Sequence, residues 1–248
     1  MAVTHGPSIS VVIPARNDAI ALEGCLQALQ YQSLAPLEVV VVDNASSDAT
    51  AEVARRYGAR VLVEEQVGIP QAAAAGYDSA RGDVIARLDA DSRPGAGWLE
   101  GLERLLRASR WDAVTGTGYF YELPRTGRAV ARVYLGIYYV LCHAALGHRP
   151  LWGSNMALRR EVWQQVREHV HDDDAELHDD LDLAFALGPD RAIRLERSLA
   201  VGVSVRSLLG WAQLRRRFRR ALRTLAVNWS GFPPWKRWAA SLGARLRR

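Results

Sequence analysis

Short apolar segments and amphipathic helical segments alternate through the first half of the chain, and this alternation limits the possible folds more than any other feature. The apolar segments, typical of buried strands, are Ile9–Ile13, Glu38–Val42, Arg60–Glu64 and Val84–Leu88. The helical segments are Ala19–Gln32, Asp48–Tyr57, Pro70–Ala80 and Gly97–Ala108. Because parallel strands need a crossover connection, the pattern predicts an α/β fold with a mostly parallel central sheet flanked by helices. The 248 residues suffice for a sizeable core.

Two of these predicted strands end in acidic residues. Asp43 follows the second strand, and Asp89-Ala90-Asp91 follows the fourth. Ligands of such sheets bind beyond the carboxyl ends of the strands. The carboxylates of Asp89 and Asp91 are hard oxygen ligands that suit Mg²⁺ or Mn²⁺ together with phosphate oxygens, although the same motif also occurs in solvated turns. Asp43 either accepts a hydrogen bond from a base or ribose, or stabilises its own turn.

Two common phosphate-binding loops are missing from the sequence. No glycine-rich loop of the P-loop type or of the dinucleotide-binding type follows any of the predicted strands. The acid-tipped strands therefore predict a nucleotide site of a different kind.

The second half is less regular. Its predicted strands are Val114–Tyr121, Ile193–Leu195 and Leu199–Val203, and Gly153–Ala157 is predicted as a turn that enters a short strand. Its predicted helices are Arg128–Leu146, Glu161–Arg167 and Asp179–Leu187. An acid at the start of the last helix could be a general base, or could simply favour the positive end of the helix dipole. Ala129–Gly147 approaches the length of a membrane span, but Arg132 and His143 within it favour a buried or interfacial helix.

Basic residues are concentrated at the C-terminal end. Residues 197–248 carry 12 Arg, one Lys and no acidic residue, whereas residues 1–196 carry 19 Arg and all 27 acidic residues. Apolar residues recur among these Arg at helical spacing, at Trp211, Leu214, Phe218, Leu222 and Leu225. We therefore predict that residues 207–248 form a basic amphipathic helical tail on an anionic membrane surface. A helix packed on the preceding domain is an alternative, and nucleic-acid binding is a less favoured one.

The location of the protein is also predicted from its sequence. The first residues lack the apolar run of a secretory signal, and Cys25 and Cys142 stand in apolar helical segments without the pattern of a disulfide framework. We expect a cytoplasmic protein that is peripheral on the inner membrane face and has no transmembrane helix.

Five segments, taken in chain order, resemble the motifs of one enzyme family. They are Val11–Asn17, Val41–Thr50, Leu88–Asp91, Gly153–Arg160 and Asp179–Leu183. Together they are similar to the motifs of family 2 glycosyltransferases, which have the GT-A fold of nucleotide-diphospho-sugar transferases. The resemblance implies an inverting transfer of a sugar from a nucleotide-diphosphate sugar to an acceptor hydroxyl, with a divalent metal, Mn²⁺ or Mg²⁺, as cofactor. The basic tail adds the expectation of a lipid-linked acceptor.

The resemblance also implies a role for each matched residue. The residues implied for the nucleotide are Pro14, Ala15, Asn17, Asp43 and Asp89. Asp91 would ligate the metal, and Asp89 would face the ribose or the same metal. The residues implied for the sugar and acceptor are Gly153, Ser154 and Asn155. Asp180 would be the general base, preceded by Asp179 where the family usually has Glu.

The expected organisation is a catalytic domain over residues 1–206, with a nucleotide-binding half at about 8–115 and an acceptor half at about 116–206, followed by the tail. One departure from the family is the alanine run Ala72–Ala75, where polar residues are usual. This run leaves an inactive, glycosyltransferase-like scaffold as an alternative. A sugar-phosphate nucleotidyltransferase is another, but its glycine-rich basic loop is replaced here by Pro14–Asn17.

Overall fold

The computed structural model describes residues 6–108, 110–123 and 125–246. Its strands are β1 (Ile9–Ala15), β2 (Glu38–Asp43), β3 (Arg60–Val63), β4 (Val84–Arg87), β5 (Arg93–Pro94), β6 (Ala113–Phe120), β7 (Met156–Arg159) and β8 (Ile193–Val203). Its helices are α1 (Ala19–Gln30), α2 (Thr50–Arg56), α3 (Ile69–Ser79), α4 (Trp98–Arg107), α5 (Gly127–Leu146), α6 (Arg160–Val166), α7 (Asp179–Leu187), α8 (Trp211–Gly231) and α9 (Pro234–Leu246). Short 3₁₀ turns occupy Arg167–His169 and Val205–Leu208.

Within the described residues, eight strands form one sheet in the order β3-β2-β1-β4-β7-β6-β8-β5. The first four of these are mutually parallel. β7 runs antiparallel between β4 and β6, and β8 is parallel to β6. The carboxyl ends of β1, β2 and β4 therefore meet at one edge of the sheet. This mostly parallel sheet with flanking helices confirms the predicted α/β class.

The hydrophobic core lies on both faces of the sheet. Side chains alternate along β1, so that Val11 and Ile13 belong to one buried cluster and Val12 to the other. The alanine run packs in the second cluster, with Ala72, Ala73 and Ala74 at most 2% exposed. Small residues are needed there because a Cβ added to Gly76 would come within 2.4 Å of Val12 Cγ1. The alanine run thus has a packing role, which lets α3 lie close to the sheet.

Three features of the structure differ from the sequence prediction. The two strands predicted over Ile193–Leu195 and Leu199–Val203 are one strand, β8, which continues past a register shift opposite Thr115–Thr117 of β6. The first turn predicted at Asp48 is not helical, and α2 begins at Thr50. The tail is two helices, because consecutive prolines follow the end of α8 and cannot continue it.

Candidate active site

A cleft of about 500 Å³ opens where β1 and β4 end. Its walls come from the β1–α1 loop, the segment after β4, α5, the segment after β8 and the start of α8. The predicted site residues among its walls are Pro14, Ala15, Asn17, Asp89, Asp91 and Ser154. The predicted site residues outside its walls are Asp43, Gly153, Asn155, Asp179 and Asp180. The fold thus brings together the residues predicted for the nucleotide and the metal, except Asp43, and places Asp180 behind the wall.

Asn17 ties two loops together at the mouth of the cleft. Its backbone is left-handed, with φ of 48°, a conformation that asparagine tolerates better than most residues. Its side-chain oxygen accepts a hydrogen bond from the Ser47 N–H at 2.7 Å, and its own N–H donates to Ser46 Oγ at 3.0 Å. These bonds hold the β1–α1 loop against the loop after β2.

Asp43 is 8% exposed at the end of β2. Its Oδ1 accepts a hydrogen bond from the Ser46 N–H at 3.2 Å, which is the turn-stabilising alternative that the sequence left open. The neighbouring Asn44 lines the cleft instead. Asn44 Oδ1 accepts from the Gly68 N–H at 2.8 Å, so this residue also fixes the segment that enters α3. The contact of Asp43 with a base stays a prediction.

Asp89 is held by two partners in the wall of the cleft. Its Oδ2 accepts a hydrogen bond from Ser154 Oγ at 2.5 Å, and its Oδ1 lies 3.1 Å from Arg87 Nη2. Ser154 lies in the loop between α5 and β7, so this bond joins that loop to the segment after β4. Asp89 is thereby fixed in orientation before any ligand binds.

Arg87 connects Asp89 to the acids of α7. Its side chain is 4% exposed, and its guanidinium pairs with both Asp89 and Asp179. A Cβ on Gly153 would come within 2.8 Å of Arg87 Nη1, so glycine is required for this close approach. Burial raises the pKa of the Asp179 carboxyl, the Arg87 guanidinium acts in the opposite direction, and Asp180 adds to the rise. One buried cation therefore compensates a group of closely spaced carboxylates.

Asp180 is oriented by the backbone of the acceptor half. Its Oδ2 accepts a hydrogen bond from the Gly153 N–H at 2.8 Å, and its Oδ1 accepts one from the Leu181 N–H at 2.8 Å. The Tyr138 hydroxyl of α5 lies 3.5 Å from Oδ2. Gly153 stands between Trp152 and Ser154, which both line the cleft. The carboxylate therefore lies directly behind the wall of the cleft and next to Tyr138 of α5.

Asp91 faces a cation supplied by the chain itself. Arg206, in the 3₁₀ turn after β8, places its Nε 3.2 Å from Asp91 Oδ2 and its Nη1 2.7 Å from Asp18 Oδ1. Burial raises the pKa of Asp91 to about 6, with a further contribution from Asp89. Three carboxylates thus create a site of excess negative charge at the cleft, and the guanidinium occupies it.

A divalent metal fits this corner of the cleft. Carboxylate oxygens are suitable ligands for Mg²⁺ and Mn²⁺, and the position already attracts a cation. No group of three or more His, Cys, Asp or Glu side chains that could hold a metal ion occurs in the described part of the chain. The donor set matches a metal held by one or two carboxylates, with other ligands supplied by substrate phosphates.

Asn155 lies in the core at 0% exposure. Its Nδ2 donates to the Thr117 and Leu199 carbonyls at 2.9 and 2.8 Å, and its Oδ1 accepts from Trp98 Nε1 at 2.9 Å. In this conformation the side chain joins β6, β8 and α4 and presents no group to the cleft. Its predicted contact with sugar or acceptor gains no support from the geometry.

Several residues of the cleft escaped the sequence analysis. The cationic and polar ones are Arg87, Arg206, Gln213 and Arg217. An arginine inside the apolar segment Val84–Leu88 is an unusual residue for a buried strand, and that was the available signal for Arg87. Arg217 resembled the other arginines of the tail, so nothing in its local sequence marked it. The structure also supports the packed-helix alternative for the tail, since Arg217 Nη1 lies 3.2 Å from the Tyr134 hydroxyl on α5.

Solved structures with a similar fold include enzymes in complex with nucleotide sugars. A mannosyltransferase from Pyrobaculum calidifontis, solved with GDP-Man and Mn²⁺, superposes with a TM-score of 0.69 at 21% identity and covers 98% of this chain and 70% of its own. Glucosyl-3-phosphoglycerate synthase from Mycobacterium tuberculosis, solved with Mn²⁺, UDP-Glc and phosphoglyceric acid, has a TM-score of 0.65 at 21% identity over 90% of this chain and 80% of its own. At these identities the likeness shows the fold.

Curated relatives match about half of the chain. The glycosyltransferase AglE of Haloferax volcanii is 35% identical over 134 residues, which are 51% of this chain and 44% of the relative. An uncharacterized glycosyltransferase of Mycobacterium bovis is 39% identical over 111 residues, 45% of this chain and 49% of the relative. The chain thus spans half or less of the length of these relatives.

The family assignment rests on a longer match. The sequence model described as Glycosyl transferase family 2 matches residues 10–167, which is more than half of the chain and includes the cleft residues from Pro14 to Ser154. The chain therefore belongs to glycosyl transferase family 2.

Proposed function

We propose that this protein transfers a sugar from a nucleotide-diphosphate sugar to an acceptor hydroxyl with inversion at the anomeric carbon. The observation that carries the proposal is the connected set of acids around the cleft. Asp89 and Asp91 stand at the donor end. Asp180 accepts from the Gly153 N–H, the adjacent Ser154 donates to Asp89, and Arg87 pairs with both Asp89 and Asp179. Such an arrangement supplies one carboxylate for the acceptor proton and others for the diphosphate end.

The donor is proposed to bind at the carboxyl ends of β1 and β4. Pro14, Ala15 and Asn17 form the base pocket, whose shape is set by the Asn17 hydrogen bonds. Asp91, with Asp89 beside it, would hold Mn²⁺ or Mg²⁺. When bound, this metal would supply Lewis-acid stabilisation of the negative charge on the leaving diphosphate. Arg217 and Arg206 line the same cleft and supply positive charge from the protein.

Asp180 is proposed as the general base. Two backbone N–H groups fix the orientation of its carboxylate behind the cleft wall, and its remaining lone pairs can accept the proton of an acceptor hydroxyl that reaches it. Deprotonation makes the acceptor oxygen a nucleophile, and attack opposite to the leaving group inverts the anomeric configuration. Asp179, tied to Arg87, is a positioning residue for this segment.

The roles of Asp180 and Asp91 are tested by substitution in the full chain. Asp180→Asn should lower kcat by about 10²- to 10⁴-fold, the range for general bases, and should leave donor affinity within a factor of a few. Asp91→Asn should instead weaken the binding of nucleoside diphosphate in the presence of Mn²⁺. Near wild-type turnover of Asp180→Asn would overturn the base assignment. A product with the anomeric configuration of the donor, measured by NMR, would overturn inversion.

A thermal-shift screen of nucleotide sugars with Mn²⁺ addresses the donor. A ligand that binds only the folded state raises the apparent stability. A rise with one nucleotide sugar identifies the base and narrows the sugar. Absence of a rise with any nucleoside diphosphate would favour the inactive scaffold.

We further propose that residues 207–248 hold the enzyme at an anionic membrane surface, where its acceptor is lipid-linked. The support is the charge of this segment, which has no acidic residue. Each basic residue near an anionic bilayer contributes about 1 kcal/mol of attraction, and salt screens this attraction. Vesicle binding that does not decrease with added salt would contradict the electrostatic part of this proposal.

A further inference from the structure

Over residues 211–222, helix α8 turns its polar side to the protein and its apolar side outward, whereas Leu225 and Trp229 near its end pack against the core. The polar side makes the contacts: Thr224, the buried residue of the helix, accepts a hydrogen bond from the His178 N–H at 2.9 Å, and Arg219 donates to Glu176 at 2.5 Å. The large apolar residues of the other side are Trp211, Leu214, Phe218 and Leu222, which are 42–89% exposed. An amphipathic helix on the surface of a water-soluble protein has the opposite orientation, with its apolar side against the core.

Helix α5 shows the same inversion. Its inner side lines the cleft and is anchored to the domain, since the phenols of Tyr138 and Tyr139 donate to the carbonyls of Leu151 and Gly116, each at 2.6 Å. Its large exposed apolar residues are Val130, Val133, Ile137, Val140 and Leu141, at 41–69% exposure. From Val133 to Leu146, the exposed residues of this helix are all apolar or glycine.

Helix α9 continues this surface beside α5. Trp235 and Leu242 are 70% and 56% exposed, and they lie seven residues apart on one side of the helix. The indole of Trp238 donates to the Ala144 carbonyl of α5 at 2.9 Å, so the two helices adjoin. The indole of Trp229 in α8 donates to the neighbouring Ala145 carbonyl at 3.2 Å. Three adjoining helices thus each expose an apolar stripe, and exposed patches of this extent mark interaction sites.

The charge of these helices indicates the partner. None of α5, α8 and α9 contains an acidic residue. Basic residues flank the stripes, at Arg128, Arg132, Arg215, Arg216, Arg219, Arg223 and Lys236, all of them exposed. An apolar surface with cationic margins suits the interface of an anionic bilayer. The aliphatic stripe of α5 has neither phosphate-binding groups nor aromatic rings, which argues against a nucleic acid as the occupant.

We propose that α5, α8 and α9 together form a single docking face for an anionic lipid bilayer, and that the acceptor is delivered to the cleft between α5 and α8 from that bilayer. The inference rests on the proposed function and makes it more specific. Ala131, Tyr134 and Leu135 of α5 line the cleft from one side, while Gln213 and Arg217 of α8 line it from the other. The same two helices therefore border the cleft and present their opposite sides to the membrane.

This docking face lies on the bilayer rather than across it. By length and composition, α5 is the one helix within the described residues that could cross a membrane, and 22% of its apolar window is buried in the protein. Its inner side packs against β6 and lines the cleft, so that side is not available to lipid. The helix is thus placed as an interfacial element with one side in the protein and the other in the bilayer.

The test is vesicle flotation of the full chain with Ile137→Ser and Val140→Ser in α5. These residues are 57% and 69% exposed and touch neither the cleft nor the core. The expected result is at least a roughly tenfold lower partition into vesicles of phosphatidylcholine and phosphatidylglycerol, because two large apolar groups no longer enter the lipid. A matched control carries Tyr31→Ser and Leu37→Ser, 79% and 56% exposed on another part of the fold, and should bind like the parent.

Other outcomes would overturn the inference. Equal vesicle binding by the α5 variant and the parent would exclude α5 from the docking face. A parent that binds no vesicles but forms dimers, which the α5 substitutions disperse in light scattering, would identify a second copy as the occupant. Donor binding by the α5 variant is measured separately by thermal shift with Mn²⁺. If the parent does not bind the donor, the result counts against the proposed function. If the parent binds the donor but does not bind vesicles, the result counts against the docking face alone.

Discussion

At the scale of single residues, the buried arginine of β4 is the centre of the site. Arg87 lies between Asp89, after β4, and Asp179, at the start of α7. Because the three groups hold one another in place, the positions of these two segments depend on this buried cation. This makes Arg87 a positioning residue whose loss affects stability first.

Replacement of Arg87 by Met should lower the free energy of unfolding by about 3–5 kcal/mol, because buried carboxylates lose their counter-charge. Adding Asp179→Asn should restore part of the loss, since one stranded carboxylate then becomes neutral. Chemical denaturation of the single and double variants measures this coupling. Arg56→Met is a suitable control, because the exposed Arg56–Glu23 pair should contribute about 1 kcal/mol or less. Strictly additive effects of Arg87→Met and Asp179→Asn would refute the coupling.

Arg206 and a divalent metal should compete for Asp91. In Arg206→Gln the carboxylate loses its guanidinium partner, so Mn²⁺ should bind more tightly in the absence of nucleotide. The pair is half-exposed, and an exposed pair of about 1 kcal/mol corresponds to a gain of up to about fivefold. Isothermal titration with Mn²⁺ measures the change, with Arg197→Gln on β8 as control. Unchanged or weaker Mn²⁺ binding would show that Arg206 does not occupy the metal position.

At the scale of elements, local signals explain why β1 to β4 and their helices were predictable. Apolar period and strand length are properties of neighbouring residues, and these residues also carry the motifs that end at Asn17, Asp43 and Asp91. The contacts that complete the site are non-local. Arg87 meets Asp179 across 92 residues and Arg206 meets Asp91 across 115, and no local pattern specifies either pair.

The tail shows a second limit of the sequence. The apolar spacing from Trp211 to Leu225 correctly predicted an amphipathic helix, but it did not indicate which side packs on the protein. That side is decided by the acids at Asp174 and Glu176, which pair with Arg223 and with Arg216, Arg219 and Arg220. The segment that contains Asp174 and Glu176 is thus a binding site for α8.

The attachment of α8 should therefore depend on these two acids. Asp174→Asn with Glu176→Gln should increase hydrogen exchange in α8 by removing the partners of its polar side, while the amides of β1 to β4 stay protected. Mass spectrometry of exchanged peptides gives both measurements at once. Glu196→Gln, which breaks the Arg194 pair on β8, controls for loss of an ion pair elsewhere. Unaltered exchange in α8 would mean that its apolar residues, and not its arginines, hold it to the domain.

At the scale of the whole molecule, basic residues and exposed apolar residues lie on the same helices, α5, α8 and α9. The acidic body carries the cleft, and the basic end of the chain borders it on the side where α5, α8 and α9 expose apolar stripes. A freely diffusing enzyme would gain nothing from this arrangement, whereas an enzyme that takes its acceptor from a bilayer needs both a docking face and a cleft beside it. The shape of the protein is thus consistent with the chemistry proposed for its site.

The pH dependence of the unfolding free energy of the whole molecule should contain a contribution from one buried histidine. His148, 7% exposed between α5 and β7, has a pKa lowered to about 4, because burial disfavours its charged form. The unfolded chain binds this proton at the ordinary pKa of about 6.5, so that below pH 6.5 the unfolded state holds more protons. Stability from this group is therefore complete above pH 6.5 and decreases by roughly 3 kcal/mol as the pH falls to 4.

Other buried groups oppose this trend. Burial raises the pKa of Asp91 to about 6 and also raises that of Asp179, so between pH 6 and 4 these carboxyls take up protons in the folded state first and add stability as the pH falls. The pH dependence of the unfolding free energy combines both effects, so only a comparison of variants isolates the contribution of His148. In His148→Leu, the loss of unfolding free energy between pH 6.5 and 4 should be smaller than in the parent by about 3 kcal/mol. Urea denaturation at several pH values measures it, with the exposed His169→Gln as control. Parallel pH profiles of parent and His148→Leu would show that His148 is protonated in the folded protein as readily as in the unfolded chain.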